Sequence, residues 1–160
     1  MKTITAGNQP EVRVEEEVRL LEGNIAVDDR GQLMFCNDFD MAPVRRFYMV
    51  SNHQTKFIRA WHAHKNESKF VVVVSGAALV AAVKIDDWKN PDKNAKVHRY
   101  TLSERKSAVL AIPAGYANGF MTLAPDTRVM FFSTATLQQS QGDDYRYDAY
   151  YWNPWDIEQR

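Results

Sequence analysis

Runs of β-branched and alternating apolar residues occupy most of the middle of the chain. FVVVV at 70–74 is separated by Ser-Gly from ALVAAVKI at 78–85, and the two runs predict a β-hairpin buried on both faces. Three further strands are predicted by KVHRYTL at 96–102, SAVLAIP at 107–113 and RVMFFST at 128–134. This pattern is typical of an all-β protein.

Clusters of turn-forming residues separate these strands. They are DDWKNPDKN at 86–94, PAGYANG at 113–119 and APDT at 124–127. Seven or more short strands with regular turns favour a sandwich or a small barrel. No internal repeat, linker or low-complexity segment divides the chain, so a single domain is predicted over residues 1–160.

Helical signals are few. VEEEVRLLEG at 14–23 predicts either a short helix that ends at Gly23 or an edge strand. The C-terminal stretch at 141–158 is dense in Tyr and Trp and allows one short helix. Neither segment changes the all-β prediction.

The composition narrows the function classes. The 160 residues are 45% hydrophobic and 25% charged with a formal net charge of zero, which gives no reason to expect a nucleic-acid partner. Cys36 is the only cysteine, so no internal disulfide forms, as is usual in a reducing compartment. The longest apolar stretch, Phe70 to Val83, has the length of buried strands rather than of a membrane span. The sequence therefore predicts a soluble, cytoplasmic protein without a membrane partner.

Two of the four histidines stand close together in the sequence Trp61-His62-Ala63-His64. Side chains alternate along a strand, so His62 and His64 are predicted to share one face while Arg59 faces the other way, unless the strand twists or ends there. Two imidazoles on one face of a barrel provide either a metal site or a pair of acid–base groups. Two packed histidines without a role are the third interpretation.

The ligands that a metal site would need are incomplete. Metal-binding cupin barrels offer a His-x-His pair, a Glu a few residues on and a third His from a later strand. Here Glu67 follows one or two positions early, and Asn118 stands where the third His would be. Two histidines, a displaced Glu and an Asn make a poor transition-metal site, so no metal is predicted.

Five segments, in this order along the chain, resemble the motifs of the dTDP-4-dehydrorhamnose 3,5-epimerase family. They are DDRGQL at 28–33, SNHQTKFIRAWH at 51–62, KFVVVVSG at 69–76, LAIPAGYANGF at 110–120 and YYWNP at 150–154. HAHK at 62–65 and RRFYMV at 45–50 are more similar to the dTDP-4-keto-6-deoxyhexose 3,4-ketoisomerases. The resemblance implies a cupin-type double-stranded β-helix, or jelly-roll barrel, that is usually a homodimer and uses no metal or other cofactor.

The resemblance also implies roles for individual residues. His62 falls on the family's catalytic base, Lys69 on the lysine of its valine-rich strand, and His64 on the second active-site histidine of the ketoisomerases. Substrate-binding residues expected from the motifs and their neighbours are Arg59, Asn52, Arg30, Tyr48, Asn118 and Tyr116.

Three departures from the epimerase pattern bear on the reaction. The tyrosine that acts as general acid is replaced by Phe131 or Phe132, and Asn118 stands in place of the histidine of the family's AHG. The aspartate that orients the base is replaced by Pro154, with only Asp148 or Asp156 close in sequence. The sequence therefore predicts an epimerase or a 3,4-ketoisomerase that acts on a nucleotide-linked 4-keto-6-deoxyhexose in deoxysugar and polysaccharide biosynthesis. The resemblance implies that the nucleotide is dTDP. A sugar-nucleotide-binding cupin with impaired catalysis and a metal-dependent cupin are the alternatives.

Overall fold

The computed structural model describes residues 16–160, which form twelve strands and one short helix. The strands are β1 (Arg19–Glu22), β2 (Asn24–Asp28), β3 (Gly31–Phe35), β4 (Arg46–Ser51), β5 (Ile58–Ala63), β6 (Lys69–Ser75), β7 (Ala77–Lys84), β8 (Val97–Ser103), β9 (Ala108–Ile112), β10 (Tyr116–Thr122), β11 (Arg128–Ser133) and β12 (Tyr145–Arg146). Helix α1 spans Leu137–Gln141.

Two antiparallel five-stranded sheets form the body of the fold. The first sheet has the order β1-β9-β6-β11-β4, the second has the order β12-β5-β10-β7-β8, and β2 and β3 form a separate hairpin. Apolar side chains from both sheets meet in one buried cluster that includes Val71, Val80, Leu110 and Val129. This arrangement confirms the predicted all-β cupin fold.

The predicted hairpin at residues 70–85 is wrong, because its two strands belong to different sheets. β6 pairs with β9 and β11, whereas β7 pairs with β10 and β8. The chain crosses between the sheets at Gly76, whose φ of +74° favours glycine and whose added Cβ would lie 2.3 Å from Thr127 Oγ1. The Ser-Gly signal marks a change of sheet, not a hairpin turn.

Two other local predictions need correction. Only the first residues of the predicted turn at 113–119 are a turn, since β10 begins at Tyr116 and is buried along its whole length. The helix allowed at 141–158 is instead the short α1, which ends where that segment begins. Within residues 16–160 no helix is long and apolar enough to cross a membrane.

The N-terminal alternative is decided for its described part. Arg19–Glu22 forms β1 and pairs with β9 at the edge of the first sheet, so the edge-strand interpretation is confirmed there. Residues 14 and 15 lie outside the described residues.

A second apolar cluster covers the outer face of the second sheet. Trp61 is fully buried there, and its ring centroid lies 5.3 Å from those of Trp152 and Trp155 in the C-terminal segment. Trp61 Nε1 donates a hydrogen bond to the Trp152 carbonyl over 3.2 Å. The aromatic C-terminal segment therefore packs against the back of β5, the strand that carries His62 and ends just before His64.

Replacing Trp152 by alanine is expected to lower the free energy of unfolding by about 3–5 kcal/mol, the usual cost of removing a buried Trp side chain. Trp152 is 3% exposed and also donates from Nε1 to the Asp92 carbonyl. Urea unfolding followed by circular dichroism measures the change. Tyr150→Ala, at a neighbouring tyrosine that is 64% exposed, should cost far less, and equal losses would contradict the packing described.

Candidate active site

A cavity of about 310 Å³ lies between the two sheets. Its strand-borne walls combine cations and imidazoles with aromatic and aliphatic side chains, and the segment that follows β11 closes another side. The lining residues are Tyr48, Val50, Arg59, His62, His64, Lys69, Asn118, Phe120, Phe131, Leu137, Ser140, Gln141, Asp144 and Arg146. A cavity with apolar walls and a few convergent polar groups is the usual form of a small-molecule site.

Arg59 lines this cavity together with His62 and His64, contrary to simple alternation along the strand. The pairing of β5 with β10 shifts register between Asn118 and Phe120, so His62 lies opposite Asn118 while Arg59 lies opposite Phe120. The irregularity places an extra residue between the two positions and brings the guanidinium to the histidine face. The prediction that Arg59 faces away from the histidines is therefore wrong.

His64 is held at both ring nitrogens. Lys69 Nζ lies 3.2 Å from Nε2, and when the lysine is an ammonium it donates to Nε2, so the ring proton resides on Nδ1. Nδ1 donates to the Asp143 carbonyl and is also 3.2 Å from Glu67 Oε2. Lys69 and His64 are 6% and 5% exposed, so this chain of contacts is shielded from solvent.

Burial keeps the imidazoles of the cavity neutral. Desolvation, followed by the nearby charge of Lys69, lowers the pKa of His62 to about 4. The same two causes lower the pKa of His64, and Glu67 opposes that change. Desolvation lowers the pKa of Lys69 as well, again against the attraction of Glu67. Since no hydrogen bond from residues 16–160 engages the His62 ring, that ring is available as a proton acceptor at neutral pH.

Tyr48 stands beside the phenylalanine that replaces the expected tyrosine. β4 pairs with β11 so that Tyr48 lies opposite Phe131, and the two rings stack with centroids 5.1 Å apart. Phe131 lines the cavity, whereas Phe132 packs on the other side of the sheet near Phe39. Burial raises the pKa of Tyr48 to about 12, so its hydroxyl remains protonated at neutral pH. The cavity therefore has a tyrosine hydroxyl on β4, the neighbour of the strand on which the family's tyrosine was expected.

Three predicted substrate-binding residues lie outside the cavity lining. Tyr116 is buried in the core between the sheets, where its hydroxyl donates to Glu17 over 3.1 Å. Arg30 is in the turn between β2 and β3, pairs with Asp28 and has a side chain that is 86% exposed. Asn52 supports the site indirectly, because its Oδ1 accepts from Arg59 Nε over 2.7 Å.

The segment after β11 supplies cavity residues that sequence reasoning missed. Leu137, Ser140 and Gln141 come from helix α1, and Arg146 on β12 lies opposite His62. Arg146 Nε donates to Asp144, another cavity residue, over 3.0 Å. The only sequence signal was a group of charges within the Tyr-rich stretch, which does not reveal that β12 pairs with β5.

Neither Asp148 nor Asp156, the aspartates close to Pro154 in sequence, replaces the missing base-orienting residue. The Pro154 carbonyl accepts from Arg99, on the side of the second sheet away from the cavity. Asp148 accepts from the Tyr150 backbone and Asp156 from Asn153, and neither lines the cavity.

The side chains around the cavity make as poor a set of metal ligands in the structure as they do in the sequence. Lys69 occupies Nε2 of His64, and Asn118 Nδ2 donates to the His62 carbonyl over 3.1 Å. Residues 16–160 bring together no group of three or more His, Cys, Asp or Glu side chains that could hold an ion. The residues present therefore do not fit the metal site of a metal-dependent cupin.

The sequence profile of the dTDP-4-dehydrorhamnose 3,5-epimerase family matches residues 15–153. The chain belongs to this family. Membership confirms the resemblance found in the sequence motifs and identifies the chain as an isomerase of the sugar-nucleotide epimerase class. No curated protein is significantly similar in sequence.

Solved structures of a sugar-nucleotide epimerase and of a ketoisomerase share the fold. The dTDP-4-dehydrorhamnose 3,5-epimerase from Bacillus anthracis, with TDP and pyrophosphate bound, is 25% identical with a TM-score of 0.71, over 89% of this chain and 87% of that one. QdtA, a sugar 3,4-ketoisomerase from Thermoanaerobacterium thermosaccharolyticum in complex with TDP, is 16% identical with a TM-score of 0.64, over 85% and 92%.

A third structure extends the range of reactions on this fold. ChmJ, a 3'-monoepimerase from Streptomyces bikiniensis in complex with dTDP-quinovose, is 17% identical with a TM-score of 0.67, over 81% of this chain and 68% of that one. The epimerase family thus shares its barrel with ketoisomerases and monoepimerases. The closer likeness of HAHK to the ketoisomerases stays a prediction.

Proposed function

We propose that this chain removes a proton from the carbon next to the ketone of a dTDP-linked 4-keto-6-deoxyhexose, and that His62 is the base. The observation that carries the proposal is that the His62 ring is both neutral and free of hydrogen bonds from residues 16–160. The ring also lines the cavity. His64, in contrast, has both nitrogens occupied.

Proton abstraction leaves an enolate whose negative charge collects on the ketone oxygen. Lys69 and Arg59 line the cavity with His62 and can hold that oxygen. Preorganised cations in a closed site stabilise such an oxyanion far better than water does, because they need not reorient during the reaction. The dTDP moiety is inferred from the bound nucleotides of the three solved relatives, with Arg59 or Arg146 as its nearest cationic partners.

The aromatic residues of the cavity favour 3,4-ketoisomerisation or a single epimerisation over double epimerisation. Double epimerisation must return protons to the opposite ring face, and Phe131 has no proton to give. A ketoisomerase instead moves a proton between neighbouring carbons through an enediol, and His64 with Lys69 can carry protons to and from the sugar oxygens. Tyr48 is the phenol best placed to act as an alternative acid.

Hydrogen exchange tests the proposal directly. The protein is incubated with dTDP-4-keto-6-deoxyglucose in D₂O, and deuterium at C3 and C5 is followed by NMR. Incorporation at C3 alone is expected for a ketoisomerase or monoepimerase, whereas incorporation at both carbons supports 3,5-epimerisation. Tight dTDP binding without deuterium incorporation would indicate a binding cupin without catalysis. A stoichiometric transition metal in the purified protein would refute the metal-free mechanism.

The pH dependence of kcat/KM should reflect the low pKa of His62. That pKa is about 4 in the free protein, against 6.5 for an ordinary histidine, so the neutral base persists well below pH 6.5. We expect kcat/KM to hold its plateau down to about pH 5 and then fall as His62 takes up a proton. A series of initial rates, with tryptophan fluorescence as a check on folding at each pH, measures this. An acid limb centred at 6.5 would contradict it.

We also propose that the chain forms a homodimer through the outer face of the first sheet. Phe47 and Met49 on edge strand β4 are 67% and 46% exposed, on the side opposite the cavity residues Tyr48 and Val50. Sedimentation equilibrium that shows only monomer at micromolar concentration would overturn this.

A further inference from the structure

Glu67 is a buried carboxylate that the mechanism above does not use. It lies between β5 and β6 and is 3% exposed. Its Oε1 accepts from Ser133 Oγ over 2.7 Å and is 3.6 Å from Arg46, while Oε2 makes no hydrogen bond of its own within residues 16–160. That second oxygen points at His64 Nδ1, 3.2 Å away. An ionised group buried this deeply is costly unless a nearby positive charge compensates it.

Arg46 compensates Glu67 on the side of Oε1, and on the side of Oε2 the compensating charge is one proton shared along the Lys69–His64 contact. Lys69 Nζ and His64 Nε2 are 3.2 Å apart, so the proton between them makes either an ammonium beside a neutral ring or an amine beside an imidazolium. In the second arrangement both ring nitrogens carry protons, and Glu67 Oε2 lies beside Nδ1 to balance the positive ring. The carboxylate therefore stabilises the shared proton wherever it resides.

We propose that Glu67 is a positioning residue that keeps the Lys69–His64 pair protonated at neutral pH. The inference rests on the proposed function, in which that pair faces the sugar oxygen and supplies a proton and a positive charge to it. Without the carboxylate, burial favours loss of the proton, because an uncompensated cation in a poorly solvated site is costly. The enolate then forms beside a neutral amine and a neutral ring.

Other charged groups face the pair and remain in any Glu67 variant. The charged ones are Arg46 on β4, Asp144 before β12 and Arg146 on β12, and the neutral but titratable His62 on β5 faces the pair as well. The two arginines repel the shared proton and Asp144 attracts it. A change confined to Glu67 therefore isolates the contribution of its carboxylate.

The test is the basic limb of kcat/KM in Glu67→Gln, which keeps the shape and the acceptor oxygen but removes the charge. We expect that limb to move by about one pH unit or more to lower pH, since a cationic pair that loses a neighbouring anion releases its proton more readily. Activity near pH 8 should fall about tenfold and recover at lower pH, and Glu67→Asp should restore the limb. Ser133→Ala, which removes the hydrogen bond of Glu67 but keeps its charge, should leave the limb where it is.

An equal loss of rate at every pH in Glu67→Gln would overturn the inference and assign Glu67 a purely structural role. A second readout does not depend on turnover. The protein has four histidines, so ¹⁵N-histidine labelling gives an NMR spectrum in which the ring of His64 can be followed. The midpoint of the His64 titration should move to lower pH in Glu67→Gln. If the wild type is active and the His64 titration does not move in Glu67→Gln, the inference about Glu67 is refuted while the proposed function stands. Absence of exchange in the wild type refutes the proposed function, and the NMR titration still decides the role of Glu67.

Discussion

Replacing His62 by asparagine is expected to slow deuterium incorporation into the sugar by about 10²–10⁴-fold, the usual contribution of a general base. Asparagine is close to histidine in size and can hydrogen-bond, but it cannot accept a proton from carbon. His62 is the cavity histidine whose ring no hydrogen bond from residues 16–160 engages, whereas both ring nitrogens of His64 are occupied. NMR of the sugar in D₂O measures the rate.

A matched histidine gives the control for this experiment. His98 lies on β8 and does not line the cavity, so His98→Asn should retain the parent rate. The two variants should bind dTDP as tightly as the parent in calorimetry, because the proposed nucleotide contacts are arginines. Exchange at the parent rate in His62→Asn would remove His62 as the base.

Replacing Lys69 by methionine is expected to lower kcat for exchange by about 10²–10³-fold, the effect of removing one group that stabilises an oxyanion. Methionine keeps most of the length and apolar character of the lysine stem, which is buried at the start of β6. The enolate oxygen would lose its nearest ammonium, and His64 Nε2 would lose its donor. Initial rates at saturating sugar nucleotide give kcat, and unchanged dTDP binding confirms that the cavity is intact.

Lys84→Met provides the matched control, since Lys84 ends β7, is exposed and does not line the cavity. It should leave kcat unchanged. Lys69→Arg keeps a cation in the wall and should recover part of the loss. If Lys69→Met retained the parent kcat, the oxyanion would have to be stabilised by another group, with Arg59 next in position.

Sequence patterns predicted the strands well where the apolar runs were long. β6, β7, β9 and β11 all fall within a residue or two of the predicted segments. The face shared by His62 and His64 followed from simple alternation. These features are local, and the residues that decide them stand next to one another.

Features that depend on which strands meet were not predictable in the same way. Whether the run after Gly76 returns beside β6 or enters the other sheet depends on pairing with distant strands, and the turn signal is the same in both cases. Arg59 reached the cavity through an irregular pairing with β10, which leaves no trace in the period of the apolar pattern. Arg146 became a cavity residue because two residues of β12 pair with β5.

Helix α1 lines the cavity without belonging to the hydrophobic core. None of its residues is buried, and it is held at its start by the reciprocal hydrogen bonds of Thr136 and Gln139. Yet Leu137, Ser140 and Gln141 face the ligand space. Substitutions there leave the hydrophobic interior untouched, so the shape and polarity of this wall can change at little cost in stability.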